Sequence, residues 1–509
     1  MEITTGSGND TVIRPVFVNG AVFRSNDNIN TGAGNDTINP GLGKDDYVDG
    51  GEGFDHLIVD YSVGDTGGGM SFNSGVNPNL GTANRHQNGS LLDYVAFKNI
   101  EKFTVIGTSK DDTIKTFYGK NVIKAGAGND SVTAVGGTLD GGSGLDYLTL
   151  DLSTQTANLN LSNLTNINIS GVVTAINFER FSITTGSGND IVTHSGIVNG
   201  AVLRINDVIQ TGAGNDTINA GLGSDTVYGG DGIDRLILDY SVGDTGTGMR
   251  FVGSSTYGFA SRQVSSTNNT RLDFIGFHNT EEFTVIGTSK DDTINTVGGK
   301  DIINSGAGND TINAGEGIDT VQAPYTSAQG YTLGANLENL ILLATGIKGT
   351  GNSLNNVLTG NSGNNTLSGE GGQDTLIGGD GNDTLIGGAG NDILTGGNGS
   401  DFFLYNTNAA FSSAAIGRDR ITDFVKGSDK IILDKTTFTA LQSIAGNGFS
   451  IVNEFAVVSS NTAAAVSSAK IVYNQSSGTL FYNQNGVASG FGTGAEFAIF
   501  TGNPSLTAS

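Results

Sequence analysis

Aspartate returns at a fixed interval in this chain. Residues 351–404 divide into six consecutive nonapeptides: GNSLNNVLT, GNSGNNTLS, GEGGQDTLI, GGDGNDTLI, GGAGNDILT and GGNGSDFFL. Each carries glycine in its first half, Asp or Asn in sixth place, and an aliphatic residue or Phe in eighth. A carboxylate supplied every nine residues, beside glycines that leave their carbonyls open, is a row of hard oxygen donors, and such donors suit a hard cation. Turn propensity explains an occasional Asn or Asp, but not Asp in one sixth place after another. Other chemistries fit worse. The adjacent carboxylates Asp111-Asp112 and Asp291-Asp292 fall within the repeat, where cation geometry is a simpler account than acid–base work. His56, His86, His194 and His278 are too scattered for a metal trio. Neither HExxH nor GxSxG occurs.

The frame recurs at 31–48, at 50–58 after one inserted residue, and at 107–133, 211–237 and 287–322, with single turns at 5–13, 141–149 and 185–193. ITTGSGND at 3–10 returns at 183–190, and FTVIGTSKDDTI at 103–114 returns at 283–294, so the stretch 1–320 reads as a tandem duplication. Three blocks leave the period alike, with HLIV, YLTL and RLIL bracketed by Asp55 and Asp60, Asp146 and Asp151, and Asp234 and Asp239. Repeat-free loop excursions are expected at about 62–98, 153–176 and 241–278. The chain returns through Asn-x-Glu-x-Phe at Asn99-Glu101-Phe103, Asn177-Glu179-Phe181 and Asn279-Glu281-Phe283, and at Asn336-Glu338 with Leu340 in the Phe place. We read the Glu as a structural device that bonds backbone amides where the repeats resume. The expected organisation is a first copy at 1–180, a second at 181–335, a tandem block at 336–404, and a β-rich C-terminal cap at 405–509. Within the cap, KIVYNQSSGTLFYNQNG (470–486) predicts a hairpin turning at Ser477-Gly478.

A six-residue turn needs positive φ, which Gly tolerates freely and Asn or Asp tolerate best among the rest. The next three residues form a short strand with its central aliphatic turned inward. Two nonapeptides close one coil, so turns 18 apart stack while turns 9 apart lie on opposite edges. Stacked strands are about 4.8 Å apart, which puts an ion midway about 2.4 Å from each turn. Calcium–oxygen bonds run about 2.3–2.6 Å, whereas magnesium wants about 2.0–2.1 Å. Period and composition together predict an all-β solenoid, almost without helix, that holds several Ca2+ ions.

GGDGNDTLIGGAGNDILTGGNGSD (378–401) resembles GGxGxDxUx, the nonapeptide of the RTX, or haemolysin-type, calcium-binding repeats. DRITDFVKGSDKIIL (419–433) is similar to the segment that follows such repeats in secreted bacterial proteins. The resemblance covers nearly all of 1–404. It implies a right-handed parallel β-roll, calcium between stacked turns, export by a type I secretion apparatus, and folding outside a Gram-negative-type cell or at its surface. Carried over by position, the sixth-place ligands are Asp36, Asp45, Asp55, Asp112, Asp130, Asp216, Asp225, Asp234, Asp292, Asp301, Asp310, Asp319, Asp374, Asp383, Asp392 and Asp401. Backbone carbonyls at Gly379, Gly381, Gly388 and Gly390 would complete the shells. Asn121, Asn356 and Asn365 replace the carboxylate by a neutral amide, and Asp27 and Asp207 lie in turns without glycine. Those sites are expected to be weak or empty.

Composition narrows the function. The chain has 509 residues with 80 Gly, 5 Pro, no Cys and no Trp. Without cysteine there are no disulfides, zinc-thiolate sites or thiol nucleophiles. A net charge of −25 argues against nucleic acid or an anionic membrane as partner. No apolar run approaches the roughly 18 residues of a membrane span. The expected function is a secreted, non-catalytic calcium-binding protein that folds on its ions, in adhesion, surface coating or a toxin-like role, with cell-surface or polysaccharide ligands. The alternative is the calcium-binding roll of a larger secreted peptidase, lipase or polysaccharide-modifying enzyme.

Overall fold

The nine-residue period folds as two parallel ladders of very short strands. The computed structural model describes every residue except 77–79, 199–200, 255, 266–267, 325–329, 344–346, 447, 487 and 509. With 46% strand and 2% helix, the chain is all-β, a parallel β-roll with no closed barrel. It divides into two compact units, Met1–Leu238 with Ser255–Glu282, and Asp239–Ser254 with Phe283–Ser509.

The second unit shows the period most plainly. Successive strands alternate between its two ladders. One column stacks Leu340, Leu358, Leu376 and Leu394, and the other stacks Gly349, Leu367, Leu385 and Phe403, so each residue meets its counterpart from the second nonapeptide along. The leucines of both columns and Phe403 are fully buried, as alternation along a strand requires of an eighth-place residue flanked by outward-facing seventh and ninth places.

The roll runs on past residue 404. Asp419–Ile421 pairs parallel with Ile393–Asn398, and Lys430–Leu433 with Phe402–Tyr405, so 417–434 adds another coil with longer turns. The cap lies beyond it. Glu496–Phe500 runs parallel to Asp419–Ile421, and Thr479–Tyr482 runs antiparallel to both Glu496–Phe500 and Ile471–Asn474. That hairpin turns through Ser477 and Gly478 (φ +71°), as predicted. Phe411, Phe438, Tyr482 and Phe497 pack together in the cap, with Tyr405 of the roll against Phe497. Antiparallel strands and rings thus cover the last parallel strand, which would otherwise present an open edge.

In the first unit the coils are uneven. Ile3 pairs with Ile29 and Val12 with Ile38, whereas Ile29 pairs with Val48 and Ile38 with Leu57, so the first coil is longer than the one that follows. The extra length carries a small hairpin, Phe17–Val18 with Ala21–Val22, repeated in the second copy as Ile197–Val198 with Ala201–Val202.

The excursions combine loop segments with strands of their own. Ser90–Lys98 lies parallel to Asp46–Asp49, Gly81–Gln87 pairs antiparallel with it and with Met70–Asn73, and Met70–Asn73 runs parallel to Thr113–Lys115. The insert therefore supplies strands to the ladder it interrupts. Its alternating SLLDYVAFK buries Phe97 against Phe72 and Phe103, and Arg85 pairs with Asp93 at 2.6 Å, both side chains fully buried. Gly258–Ser265 and Asn268–His278 repeat the plan with Arg262 and Asp273 at 2.7 Å. Asn166–Ile169 and Val173–Ile176 form a shorter hairpin beside Gly137–Ser143. Residues 77–79, 255 and 266–267 of these excursions lie outside the described residues. Among the described residues no helix is long and apolar enough to cross a membrane.

Candidate metal centre

A typical sixth-place carboxylate ties two coils together. Its Oδ1 accepts the backbone N–H of the sixth-place residue one coil earlier. Asn356 donates to Asp374 (2.7 Å), Asn365 to Asp383 (2.7 Å), Asp374 to Asp392 (2.8 Å) and Asp383 to Asp401 (2.8 Å). The same bond runs from Asp10 to Asp36, Asp36 to Asp55, Asp112 to Asp130, Asp190 to Asp216, Asp207 to Asp225 and Asp216 to Asp234. It also joins Phe283 to Asp301, Asp292 to Asp310, and Asp301 to Asp319. Turns therefore stack on those one coil away, not on those of the adjacent nonapeptide. The fifth place, which sequence reasoning passed over, builds a second ladder in the opposite sense. Asn382 donates its N–H to Asn364 Oδ1 (2.7 Å), and Ser400 donates to Asn382 Oδ1 (2.9 Å). The recurring Asn-Asp pair is the signal that pointed to it.

The second oxygen has no such use. Oδ2 finds no hydrogen-bond partner at Asp36, Asp55, Asp130, Asp234, Asp319, Asp374, Asp383, Asp392 and Asp401, all buried. Asp146 and Asp190, absent from the expected ligands, share this state. They occupy sixth place in the single turns at 141–149 and 185–193, which was the available signal. Leaving an ionised oxygen buried and unpaired costs several kcal/mol. Each Oδ2 in the tandem block presses on the first glycine of its own nonapeptide. A Cβ on Gly369, Gly378, Gly387 or Gly396 would collide with Asp374, Asp383, Asp392 or Asp401 respectively. Gly379 (φ +110°) and Gly381 (φ +111°) serve the stacking, because their carbonyls face Gly397 and Gly399 where a Cβ would strike them. Gly388 and Gly390 repeat this conformation, half-buried, with the Gly390 carbonyl against Gly417.

Asn356 reveals what surrounds the Oδ2 position. Its Nδ2 donates to the carbonyls of Leu337 (3.1 Å) and Glu338 (3.2 Å) and to Asn352 Oδ1 (3.3 Å). The Asn turn therefore puts a donor among acceptors, where an Asp turn puts another oxygen. Oxygen gathered among oxygens is the arrangement a hard cation resolves. Among the described residues no three carboxylate or imidazole side chains converge on one point. An ion here would draw most of its ligands from backbone carbonyls, as calcium readily does.

Several turns satisfy themselves. Asn121 donates to the Tyr118 carbonyl (2.8 Å). Asp112 and Asp292, both expected ligands, are already hydrogen-bonded within the protein. Asp112 accepts from the Thr108 hydroxyl (2.8 Å), the Thr108 N–H (2.6 Å) and the Met70 N–H (2.5 Å), which occupy both oxygens. Asp292 is bonded the same way by Thr288 and Met249. Asp45, another expected ligand, lies off the ladder. It is exposed, and buried Asp46 accepts the Asp27 N–H (2.7 Å) instead, because the inserted residue falls before Asp46 and slips the frame by one. In the glycine-free turns an internal cation or donor takes the place of an ion. Arg14 (3.0 Å) and Ser25 (2.6 Å) bond Asp27 Oδ2. At the equivalent place in the second copy, His194 Nδ1 lies 2.6 Å from Asp207 Oδ2.

The return motif behaves as expected. Oε2 of Glu101, Glu179, Glu281 and Glu338 accepts the N–H of Asp55 (2.8 Å), Asp146 (2.9 Å), Asp234 (3.0 Å) and Asp319 (2.9 Å). A longer side chain thus continues the aspartate ladder where the next coil begins outside the period. The asparagine two places earlier takes positive φ at all four returns, +50° to +59°.

Burial dominates the electrostatics. It pushes the carboxyls of Asp55, Asp146, Asp234 and Asp383 up to about 6, and those of Asp130 and Asp374 up to about 7, with neighbouring carboxylates adding to the rise. Their proton affinity is thus raised toward neutrality, and a bound cation would compete with protons for the same oxygens.

The family model of the RTX calcium-binding nonapeptide repeat (4 copies) matches residues 24–45, 104–133, 205–236, 286–321, 350–385 and 371–403. A search of curated proteins finds no match. The matched stretches hold most of the carboxylates whose second oxygen is buried without a partner, among them Asp36, Asp130, Asp234, Asp374 and Asp392. The chain carries RTX calcium-binding nonapeptide repeats in each of these stretches.

Proposed function

We propose that this chain is a secreted, non-catalytic protein that folds when calcium fills its turns outside the cell, and that the folded roll serves in adhesion or surface coating. One observation carries the reading: a row of buried carboxylate oxygens that find no hydrogen-bond partner among the described residues. Where calcium is scarce, those oxygens and a net charge of −25 oppose the compact state and keep the chain extended enough for type I export. Roughly eight divalent ions would offset about 16 of these charges. Calcium at the millimolar levels outside cells meets the affinity range of extracellular modules, about 10⁻⁴–10⁻³ M. A calcium titration followed by far-UV circular dichroism tests this. The folding midpoint should fall in that range, and folding complete at submicromolar calcium would sink the link between folding and export.

A further inference from the structure

In the first unit each copy carries its small hairpin at the same place in the coil. VFVNGAVF (16–23) lies between Thr11–Ile13 and Asn28–Asn30, and GIVNGAVL (196–203) between Ile191–Thr193 and Val208–Ala213. No charged residue falls within 15–23 or 195–203. Both feet of each hairpin are fastened to buried aspartates. Arg14 (3.0 Å) and His194 (2.6 Å) meet Asp27 and Asp207 on one side. Arg24 (2.8 Å) and Arg204 (2.9 Å) meet Asp93 and Asp273 on the other.

The first hairpin turns at Asn19 (φ +53°) and Gly20 (φ +79°). Phe17 pairs with Val22 and Val18 with Ala21, so each pair takes its own face of the hairpin. All four are exposed, Phe17 at 52% and Val18 at 41%. In the second copy Ile197 and Val202 take the places of Phe17 and Val22 and are exposed at 41% and 40%. The copies have exchanged Phe17 for Ile197 and Phe23 for Leu203, and in both exchanges the place stays apolar. A two-stranded hairpin gains little from apolar side chains held out in water, and such side chains mark a contact surface.

We infer that the two hairpins dip into the interface of a neutral, zwitterionic lipid bilayer and hold the folded roll on it. The inference rests on the reading that the roll folds on calcium and serves in adhesion, and it names the surface. A protein groove or a glycan would cover one face of a hairpin, whereas a bilayer interface surrounds both. Asn19 is the sole polar side chain in 16–23, which leaves a glycan few partners for its hydroxyls. The outer edges of a two-stranded hairpin keep backbone groups that hydrocarbon excludes and hydrated headgroups accept. Strands of about three residues reach roughly 10 Å, which matches interfacial insertion of about 5–10 Å. A net charge of −25 disfavours anionic headgroups. Fastened feet spare the hairpins an ordering cost, and two on one chain reinforce each other.

The chain has no Trp, so one introduced Trp reports on its own site. With calcium and phosphatidylcholine vesicles, Phe17→Trp emission should shift to shorter wavelength and be quenched by brominated acyl chains. Phe54→Trp, at an equally exposed place on a turn of the roll (55%), should show neither effect. Phe17→Ser with Val18→Ser should weaken cosedimentation of the full chain with these vesicles about tenfold, and adding Ile197→Ser with Val202→Ser should abolish it. An unshifted Phe17→Trp overturns the inference, as do serine variants that fold and still cosediment like the wild type. Binding confined to phosphatidylserine vesicles also overturns it, and so does a Phe17→Trp shift that needs no vesicles and grows with protein concentration. A chain that stays unfolded in calcium overturns the underlying reading instead, so the two failures are distinguishable.

Discussion

Acidification should refold the calcium-free chain. In the folded state, burial holds Asp55, Asp146, Asp234 and Asp383 near 6 and Asp130 and Asp374 near 7, whereas the ordinary value is 3.8. Between these values the folded chain binds more protons than the unfolded chain. The stability contributed is therefore complete below about pH 4 and is lost as pH rises through 6 to 7. Each group adds at most about 1.4 kcal/mol per pH unit, less where water reaches the turn edges. Six groups at half that slope move the balance by about 4 kcal/mol per pH unit, a large part of a domain's stability. Far-UV circular dichroism in excess chelator should show strand structure returning between about pH 7.5 and 5. With calcium present the trend should oppose this, because protons and calcium compete for the same oxygens. A chelated chain as unfolded at pH 5 as at pH 7.5, or a transition centred near pH 4, would refute the reasoning.

Other turns supply contrasting tests. Asp383→Asn should lower the count of bound calcium by at least one, whereas Asp112→Asn should leave it unchanged, because Thr108 and Met70 already bond that carboxylate; native mass spectrometry reads both. Arg14→Met should cost about 3 kcal/mol by stranding buried Asp27, and adding Asp27→Asn should recover much of it, as thermal melts in calcium would show. Glu281→Ala should destabilise the first unit by about 1–3 kcal/mol by leaving the Asp234 N–H without its acceptor, measured by chemical denaturation in calcium.

The features legible in the sequence were those set by local period. Asp374 and Leu376 take sixth and eighth place in their nonapeptide, and the coil converts that spacing into one stacked carboxylate and one inward aliphatic. Glu101 was legible as a backbone acceptor because its motif stands at each return. Pairings between distant residues were not legible. Thr108 closes on Asp112 only after the turn forms, and Arg14 reaches Asp27 across a hairpin. The inserted residue near Asp45 moves the buried carboxylate by one without disturbing the glycines around it. SLLDYVAFK carried the alternation of a strand, yet its absence from the nonapeptide frame made it read as loop. Asp419 and Asp429 continue the ladder after coils longer than two nonapeptides, where a fixed period says nothing.

The central claim is that calcium fills turns whose carboxylate oxygens the protein leaves unsatisfied. Counting bound calcium by native mass spectrometry while recording far-UV spectra on the same samples, across a titration from excess chelator to about 5 mM calcium, tests it most directly. Several ions should bind per chain, and strand structure should appear with them. A full strand spectrum in chelator, with no ion bound and no change on adding calcium, would contradict it.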